Sequence, residues 1–269
     1  YLASSGGKLL SFITWIALGG VIVGVTALIV VTGVMTGMQE DLRGKILESY
    51  PHVLVLQQGA SLRLDNWTAV AEQVRGVEGV VAVAPFVMTQ VSVMLGSYAQ
   101  SADVYGVALD PEGPPVTEME GKIQEGVHNL GDTESGLPPM IMGRNLAARM
   151  SVFVGDTLRV MAFEGSLQID PFTGGPTIRM REFEVTGMFT TGMYEYDIKN
   201  VYVRLEDSQD LVNIGADEVG GLGVRTVDAD RASEIAAAIG DELGLAYFPQ
   251  SWTVQNQALF SALELEKLA

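Results

Sequence analysis

Residues 9–38 read LLSFITWIALGGVIVGVTALIVVTGVMTGM, thirty positions without one Asp, Glu, Lys, Arg or His. A helix rises about 1.5 Å per residue, so about 20 apolar residues cross the hydrocarbon core of a bilayer. This stretch therefore predicts a transmembrane helix with length to spare for tilt. A secretory signal sequence is the competing reading, but its apolar region runs only about 7–15 residues and ends at a small-residue cleavage site. Two small-residue pairs, Gly20 with Gly24 and Gly33 with Gly37, fall at the four-residue spacing that lets membrane helices approach closely. They predict packing against further membrane helices. Trp15 suits an interfacial anchor.

Outward from this stretch, residues 39–50 (QEDLRGKILESY) keep a helical pattern, with Leu42, Ile46 and Leu47 on one side. Pro51 ends it, because proline disfavours helix at the residue before it. Residues 1–50 are thus expected to form a transmembrane helix and its stalk.

The remaining chain is of a different kind. Net charge over the 269 residues is -17, yet Lys8, Arg43 and Lys45 balance Glu40, Asp41 and Glu48 in the first fifty. All the excess acid lies in residues 51–269. That excludes nucleic acid as a partner, which calls for a basic face, and argues against this part lying flat on anionic lipid. The hydrophobic share is 48% and apolar runs are spread along the whole length, so disorder is not expected. Without any cysteine there is no disulfide, zinc-thiolate site or thiol nucleophile.

A β-α-β-β pattern follows the stalk. His52–Gln57 reads as a strand. A helix begins at Asp65 or Asn66 as N-cap, with Trp67, Val70, Ala71 and Val74 on its apolar face. Val80–Phe86, Val87–Leu95 and Val104–Ala108 read as strands. Residues 109–143 are rich in Pro, Gly and acid and read as loop with one short helix. Pro139–Gly143 reads as a strand leading into a helix over Arg144–Met150, and Val154–Asp156 as a turn. Thr157–Ile169 and Thr177–Phe189 are the β-rich arms of a hairpin around Asp170-Pro171-Phe172-Thr173-Gly174-Gly175-Pro176. Lys199–Leu205 reads as strand and Glu206–Val212 as helix. Val219–Thr226, Ala229–Leu243 and Leu245–Phe248 make a second β-α-β, with Gly244 as helix C-cap. The two halves, 51–108 and 219–252, suggest a split β-α-β layer with residues 109–218 inserted as a β-rich subdomain. The expected fold class is a membrane protein, one N-terminal transmembrane helix plus an α+β domain. Residues 253–269 are amphipathic, with Leu259, Phe260, Leu263 and Leu268 on one side.

Catalytic chemistry finds little support. His52 and His128 have no metal-ligand spacing and read as ordinary surface or turn residues. There is no G-x-S-x-G, and Leu9 after Gly6-Gly7-Lys8 denies a phosphate loop its Ser or Thr. No carboxylate pair is singled out by spacing, and a solvated acidic face accounts for the acids. A single-helix anchored enzyme is therefore disfavoured, with neither cofactor nor metal expected. The most specific local feature is the hairpin tip. Pro171 and Pro176 stiffen its ends, and an exposed Phe172 would make an anchor for a partner surface. Arg179 and Arg181 stand out in an acidic region as cations for acids on a partner. The plainer reading folds Phe172 back on its own domain.

Three segments carry a resemblance: TWIALGGVIVGVTALIVVTGVMTGMQEDLRGKIL followed by PHV, VTGMFTTGMYEYDIKNVYV, and WTVQNQALFSALELEKLA. They resemble the lipoprotein-releasing permease subunits of the LolC/LolE family, whose architecture is similar to that of MacB and FtsX permeases. The resemblance implies a non-catalytic subunit of an ABC transporter in the bacterial inner membrane, with its large domain in the periplasm. Such a subunit extracts lipoproteins and hands them to a periplasmic chaperone. Its partners would be a cytoplasmic ATPase subunit and a second permease subunit. By the same resemblance residues 253–269 lead into a second membrane helix, so the sequence is expected to be part of a longer subunit. The split layer resembles a porter-like subdomain, and the hairpin at about 163–185 a chaperone-capturing hook, with Pro171, Phe172, Pro176, Arg179 and Arg181 as its contact residues. Val30, Val34, Met35 and Met38 would line a cavity for acyl chains, which apolar, adaptable side chains suit. A MacB-like efflux subunit or an FtsX-like transmitter of force is the alternative.

Overall fold

The computed structural model describes residues 5–59, 63–109, 114–126, 130–162, 179–257 and 261. The chain divides into two units, Tyr1–Gly44 with Ala258–Ala269, and Lys45–Gln257.

In the first unit the uncharged run lies within one helix, α1 (Ser5–Ser49), 45 residues long, whose end extends into the second unit. From Phe12 to Met38 its apolar side chains are exposed except for the half-buried Met35, among them Phe12, Trp15, Val23, Leu28 and Val34. An apolar surface of that extent is incompatible with water and suits lipid. Among the described residues it is the helix long and apolar enough to cross a membrane.

The second unit opens with β1 (Val53–Gln57) and β2 (Leu64–Asp65). Helix α2 (Trp67–Arg75) buries Val70, Ala71 and Val74 at the predicted spacing. Asn66 takes its N-cap position in a left-handed conformation (φ 51°), and its side chain makes no capping bond. The strands predicted over 80–86 and 87–95 are one, β3 (Val80–Leu95), sixteen residues long. Pro85 sits inside it, opposite Leu222, just before the point at which Phe86 begins the pairing with the next strand. That strand, β4 (Tyr98–Val107), starts earlier than predicted because it forms a ten-residue hairpin with β3.

The stretch read as loop contains a 3-10 turn (Met119–Lys122) and β5 (Ile123–Gly126), and the strand predicted after it is β6 (Pro139–Gly143). There follow α3 (Arg144–Met150), β7 (Thr157–Ala162), β8 (Arg179–Phe189), α4 (Tyr194–Asp197), β9 (Asn200–Arg204) and α5 (Leu205–Val212). The chain continues through β10 (Glu218–Val219), β11 (Gly221–Thr226), α6 (Ala232–Leu243), β12 (Tyr247–Ser251) and α7 (Trp252–Gln255).

Two arrangements share β3. At one end the strand order is β12-β1-β11-β3, all antiparallel, with α2 and α6 packed on it. Two β-α-β units that interleave in this order form the split β-α-β layer. At the other end the pairing runs β3-β4-β9-β6-β8-β7 and returns to β3 through Val91–Met94 against Arg159–Ala162. Closing a sheet on itself removes its edges. The ring encloses fully buried Phe183, Met140, Met142, Leu158, Val160, Val185 and Val203. The fold is thus a membrane-type helix and an α+β domain in which a split layer and a closed β ring share β3, so the ring takes in β4 and the end of β3 from the half predicted as 51–108.

One glycine position is decided by close approach. A Cβ on Gly106 of β4 would stand 1.7 Å from Oγ of Ser208, so only glycine lets α5 lie this close to the strand. His52 also departs from expectation. It is buried, and its Nδ1 lies 2.8 Å from Thr226 Oγ1 and accepts from the Thr226 amide at 3.2 Å. It joins β1 to β11. Burial, helped by the nearby Arg225 charge, pushes its pKa below the usual imidazole value. His128 lies outside the described residues.

Two outcomes follow for stability. Phe183→Ala empties the centre of the closed ring and is expected to cost about 3–5 kcal/mol, read as a fall in melting temperature of the full chain in detergent. With its folded pKa depressed, His52 binds protons more readily in the unfolded chain. Its contribution is intact above about pH 6.5 and lost as pH falls below that value. His52→Gln should flatten the decline in melting temperature between about pH 7 and pH 5.

Candidate functional site

Two regions of the domain hold clustered side chains that the fold alone does not require. The first is the joint at the end of α1. Ile46 and Ser49 are buried there. Glu48 pairs with Lys122, and its carbonyl accepts from the Glu118 amide at 2.7 Å. The Tyr196 hydroxyl donates to the Ser49 carbonyl at 3.4 Å and shares a hydrogen bond with Tyr202. Around this point Tyr196 meets Tyr50 edge-on at 5.0 Å between centroids, and Phe189 meets Tyr202 at 5.4 Å. Tyr105 lies 5.6 Å from Tyr202. Burial drives the phenol pKa values up, to about 12 for Tyr50, so these rings stay neutral and uncharged at any physiological pH. Chemically the joint is an aromatic clamp with an ion pair, built to hold the last turn of α1.

The second region is the face formed by β8 and α5. The hairpin arms pair as predicted, from Thr157↔Glu184 to Ala162↔Arg179. Pro171, Phe172 and Pro176 of the tip lie outside the described residues. Arg179 and Arg181 do not stand free: both reach α5. Arg179 donates to Asn213 Oδ1 at 2.5 Å and to the Asp210 carbonyl at 3.3 Å. Arg181 spans Asp207 Oδ1 at 2.9 Å and Asp210 Oδ2 at 2.8 Å. Its guanidinium lies 6.0 Å from the centroid of the Phe183 ring. For Arg181 the pairing with acids that the sequence suggested for a partner is made within the chain, while Arg179 meets an amide and a backbone carbonyl.

Beside this face lies a cavity of ≈ 370 Å³ between α5, β8 and the loop of residues 132–138. Arg204, at the end of β9, lines it and donates from Nε to the Leu130 carbonyl at 2.7 Å; it also pairs with Asp132 at 2.8 Å. Asp207, at the start of α5, is buried, and that burial raises its pKa against the pull of Arg181 and Arg204. Asp132, Arg181, Arg204, Glu206, Asp207 and Asp210 come together here from three separate parts of the chain. Sequence reasoning missed this group. Its faint signal is the run Arg204-Leu205-Glu206-Asp207, charged residues at a strand-to-helix junction. Among the described residues, no three His, Asp or Glu side chains converge as a metal site.

The membrane-side candidates belong to the first unit. Val30, Val34 and Met38 are exposed and Met35 is half-buried. Where a Cβ would stand on Gly20, Gly24, Gly33 or Gly37 there is no heavy atom within 4 Å.

An apolar helix of membrane-spanning length followed by an α+β domain with this split layer defines a class, that of membrane-anchored α+β domains. The chain belongs to the family of MacB-like periplasmic core domains, which matches residues 14–242. It is 30% identical over 260 residues to the lipoprotein-releasing system transmembrane protein LolC of Neisseria meningitidis, covering 96% of this chain and 60% of that protein. It is 29% identical over 258 residues to LolC of Xylella fastidiosa and 23% identical over 251 residues to LolE of Haemophilus influenzae. The chain thus spans about 60% of the length of the curated relatives it matches. The periplasmic region of MacB from Actinobacillus actinomycetemcomitans is similar over 80% of this chain and 97% of that one, with TM-score 0.48 and 15% identity.

Proposed function

We propose that the chain is part of a transmembrane subunit of an ABC transporter that extracts lipoproteins from the bacterial inner membrane and hands them to a periplasmic chaperone. The observation that carries this reading is the alignment with lipoprotein-releasing system proteins across 96% of the chain, membrane helix and domain together. In this reading the domain of residues 51–252 stands in the periplasm, and a separate cytoplasmic subunit hydrolyses ATP. The chain itself makes and breaks no bonds.

The parts then divide as follows. Residues 51–108 and 219–252 act as a porter-like subdomain, and residues 109–218 as the inserted one. Gly20, Gly24, Gly33 and Gly37 offer faces on which other membrane helices, including those of a second permease subunit, can pack. Val30, Val34, Met35 and Met38 line a space for acyl chains. The clamp on Ser49 and Tyr50 passes movement of α1 to the domain. The hairpin tip, with Pro171, Phe172 and Pro176, holds the chaperone, and Arg179 and Arg181 support its base. A MacB-like efflux subunit or an FtsX-like transmitter would share this architecture; the names of the curated relatives favour lipoprotein release over both.

The test is capture of the purified chaperone by the full-length subunit in detergent. Phe172→Asp, which replaces an apolar anchor with a charge, is expected to abolish capture. Arg181→Asp is expected to reduce it, since the base of the hairpin then loses its hold on α5 and faces two like charges. Undiminished capture by Phe172→Asp would overturn the hook assignment, and a wild-type chain that captures an adaptor or a hydrolase in place of the chaperone would overturn the function.

A further inference from the structure

We infer that residues 115–126, read from the sequence as loop, are a strap that sets the angle at which α1 meets the domain, with Glu118 as its positioning residue. Under the proposed function, on which this rests, α1 moves and the domain must follow. Covalently, α1 passes into the domain through Tyr50 and Pro51 alone. A single backbone link can pull, but it can also swivel, so it transmits no tilt. The last carbonyls of a helix have no partner within it. In α1 they are met from outside: that of Ser49 by the Tyr196 hydroxyl, and that of Glu48 by the Glu118 amide at 2.7 Å. Four residues on, Lys122 pairs with the Glu48 carboxylate and brings a cation to the negative end of the helix dipole. Glu118 and Lys122 thus grip the last turn of α1 by its backbone and by its side chain.

The strap is anchored in both directions. Toward the split layer, Arg225 of β11 pairs with the Glu118 carboxylate at 2.8 Å and donates to the Pro115 carbonyl at 3.2 Å. Gly223 of the same strand gives the strap its seat: a Cβ there would stand 2.9 Å from Pro51 Cγ and 3.3 Å from Val116 Cγ1. Toward the ring, the Lys122 carbonyl accepts from the Thr190 amide at 3.0 Å, and Ile123 pairs with Phe189 of β8. Met119 and Ile123 are buried in one cluster with Phe189 and Tyr196. Glu118 joins the two directions, because its amide holds α1 and its carboxylate holds β11. Both ion pairs are part-exposed and weak singly. The grip comes from their meeting on one short segment that the pairing of β5 with β8 also holds.

The chain has no cysteine, so two spin labels can be placed without competition. The full chain in detergent carries them at Glu40→Cys on α1 and Asp241→Cys on α6, both exposed positions, and pulsed electron resonance reads the distribution of distances between them. A narrow distribution is expected. Glu118→Arg, which sets two cations together, should broaden it about twofold. Adding Arg225→Glu restores the pair in reverse and should return the wild-type width. Lys122→Met, which keeps the stem and drops the charge, should broaden it as well. A wild-type distribution as broad as that of the variants overturns the inference, and so does one that stays narrow in either single variant. Broadening that Arg225→Glu does not reverse overturns the role of Glu118. Chaperone capture by the wild-type chain is read separately: its failure overturns the transporter reading and leaves the distances to decide the strap.

Discussion

The sixteen residues of β3 are the constraint on which the domain depends. A strand has two hydrogen-bonding edges, and β3 uses both along its length, with different partners at its two ends. Val80–Phe86 pair with β11 and belong to the split layer. Phe86–Leu95 pair with β4 on one edge, and Val91–Met94 pair with β7 on the other, closing the ring. Were β3 two strands joined by a turn, layer and ring could tilt independently. As one strand they share a backbone, and Pro85 costs a single donor near the point where the partners change.

From this follows the position of everything that can do work. Gly106 of β4 lets α5 lie against the ring, and α5 carries Asp207 and Asp210 to meet Arg181 on β8. Phe189 and Tyr202, on β8 and β9, pack against Tyr196 of α4, whose hydroxyl reaches the Ser49 carbonyl in the last turn of α1. The aromatic joint and the acidic cavity thus lie on elements of one closed ring. The rings of the joint are neutral, with the Glu48–Lys122 ion pair beside them. The cavity, by contrast, is lined by charges held apart from solvent only in part.

Charge distribution ties these parts to their surroundings. The first fifty residues are balanced, which lets α1 and its stalk sit near a membrane without electrostatic preference. The -17 excess lies wholly beyond them. Arg179 and Arg181 looked, in sequence, like rare cations held out to a partner. Folded, Arg181 pairs with Asp207 and Asp210 of α5, and Arg179 with Asn213 and the Asp210 carbonyl. The inversion arises because Asp207, Asp210 and Asn213 lie about thirty positions away in the chain and one side chain away in space.

How much was legible before folding depended on the range of the interaction. The membrane helix, its extension to the end of the stalk, the helix faces of α2 and α6, the strand Pro139–Gly143 and the two β-α-β halves are properties of short windows. Hydrophobic period and caps report them directly, and a family resemblance extended them to a function. The unity of β3, the early start of β4 and β5 inside a supposed loop were not legible, because each is decided by a partner strand far away in sequence. His52 read as a surface residue, since nothing local tells of Thr226 waiting to bury it. The same holds for the cavity: no spacing along the chain links Asp132, Arg181 and Asp207. The sequence by itself determined that a lipid-soluble helix carries an acidic α+β domain, because composition and periodicity act locally. Only the tertiary structure decided which charges are spent and which remain, because strand pairing alone brings those side chains within a few ångströms.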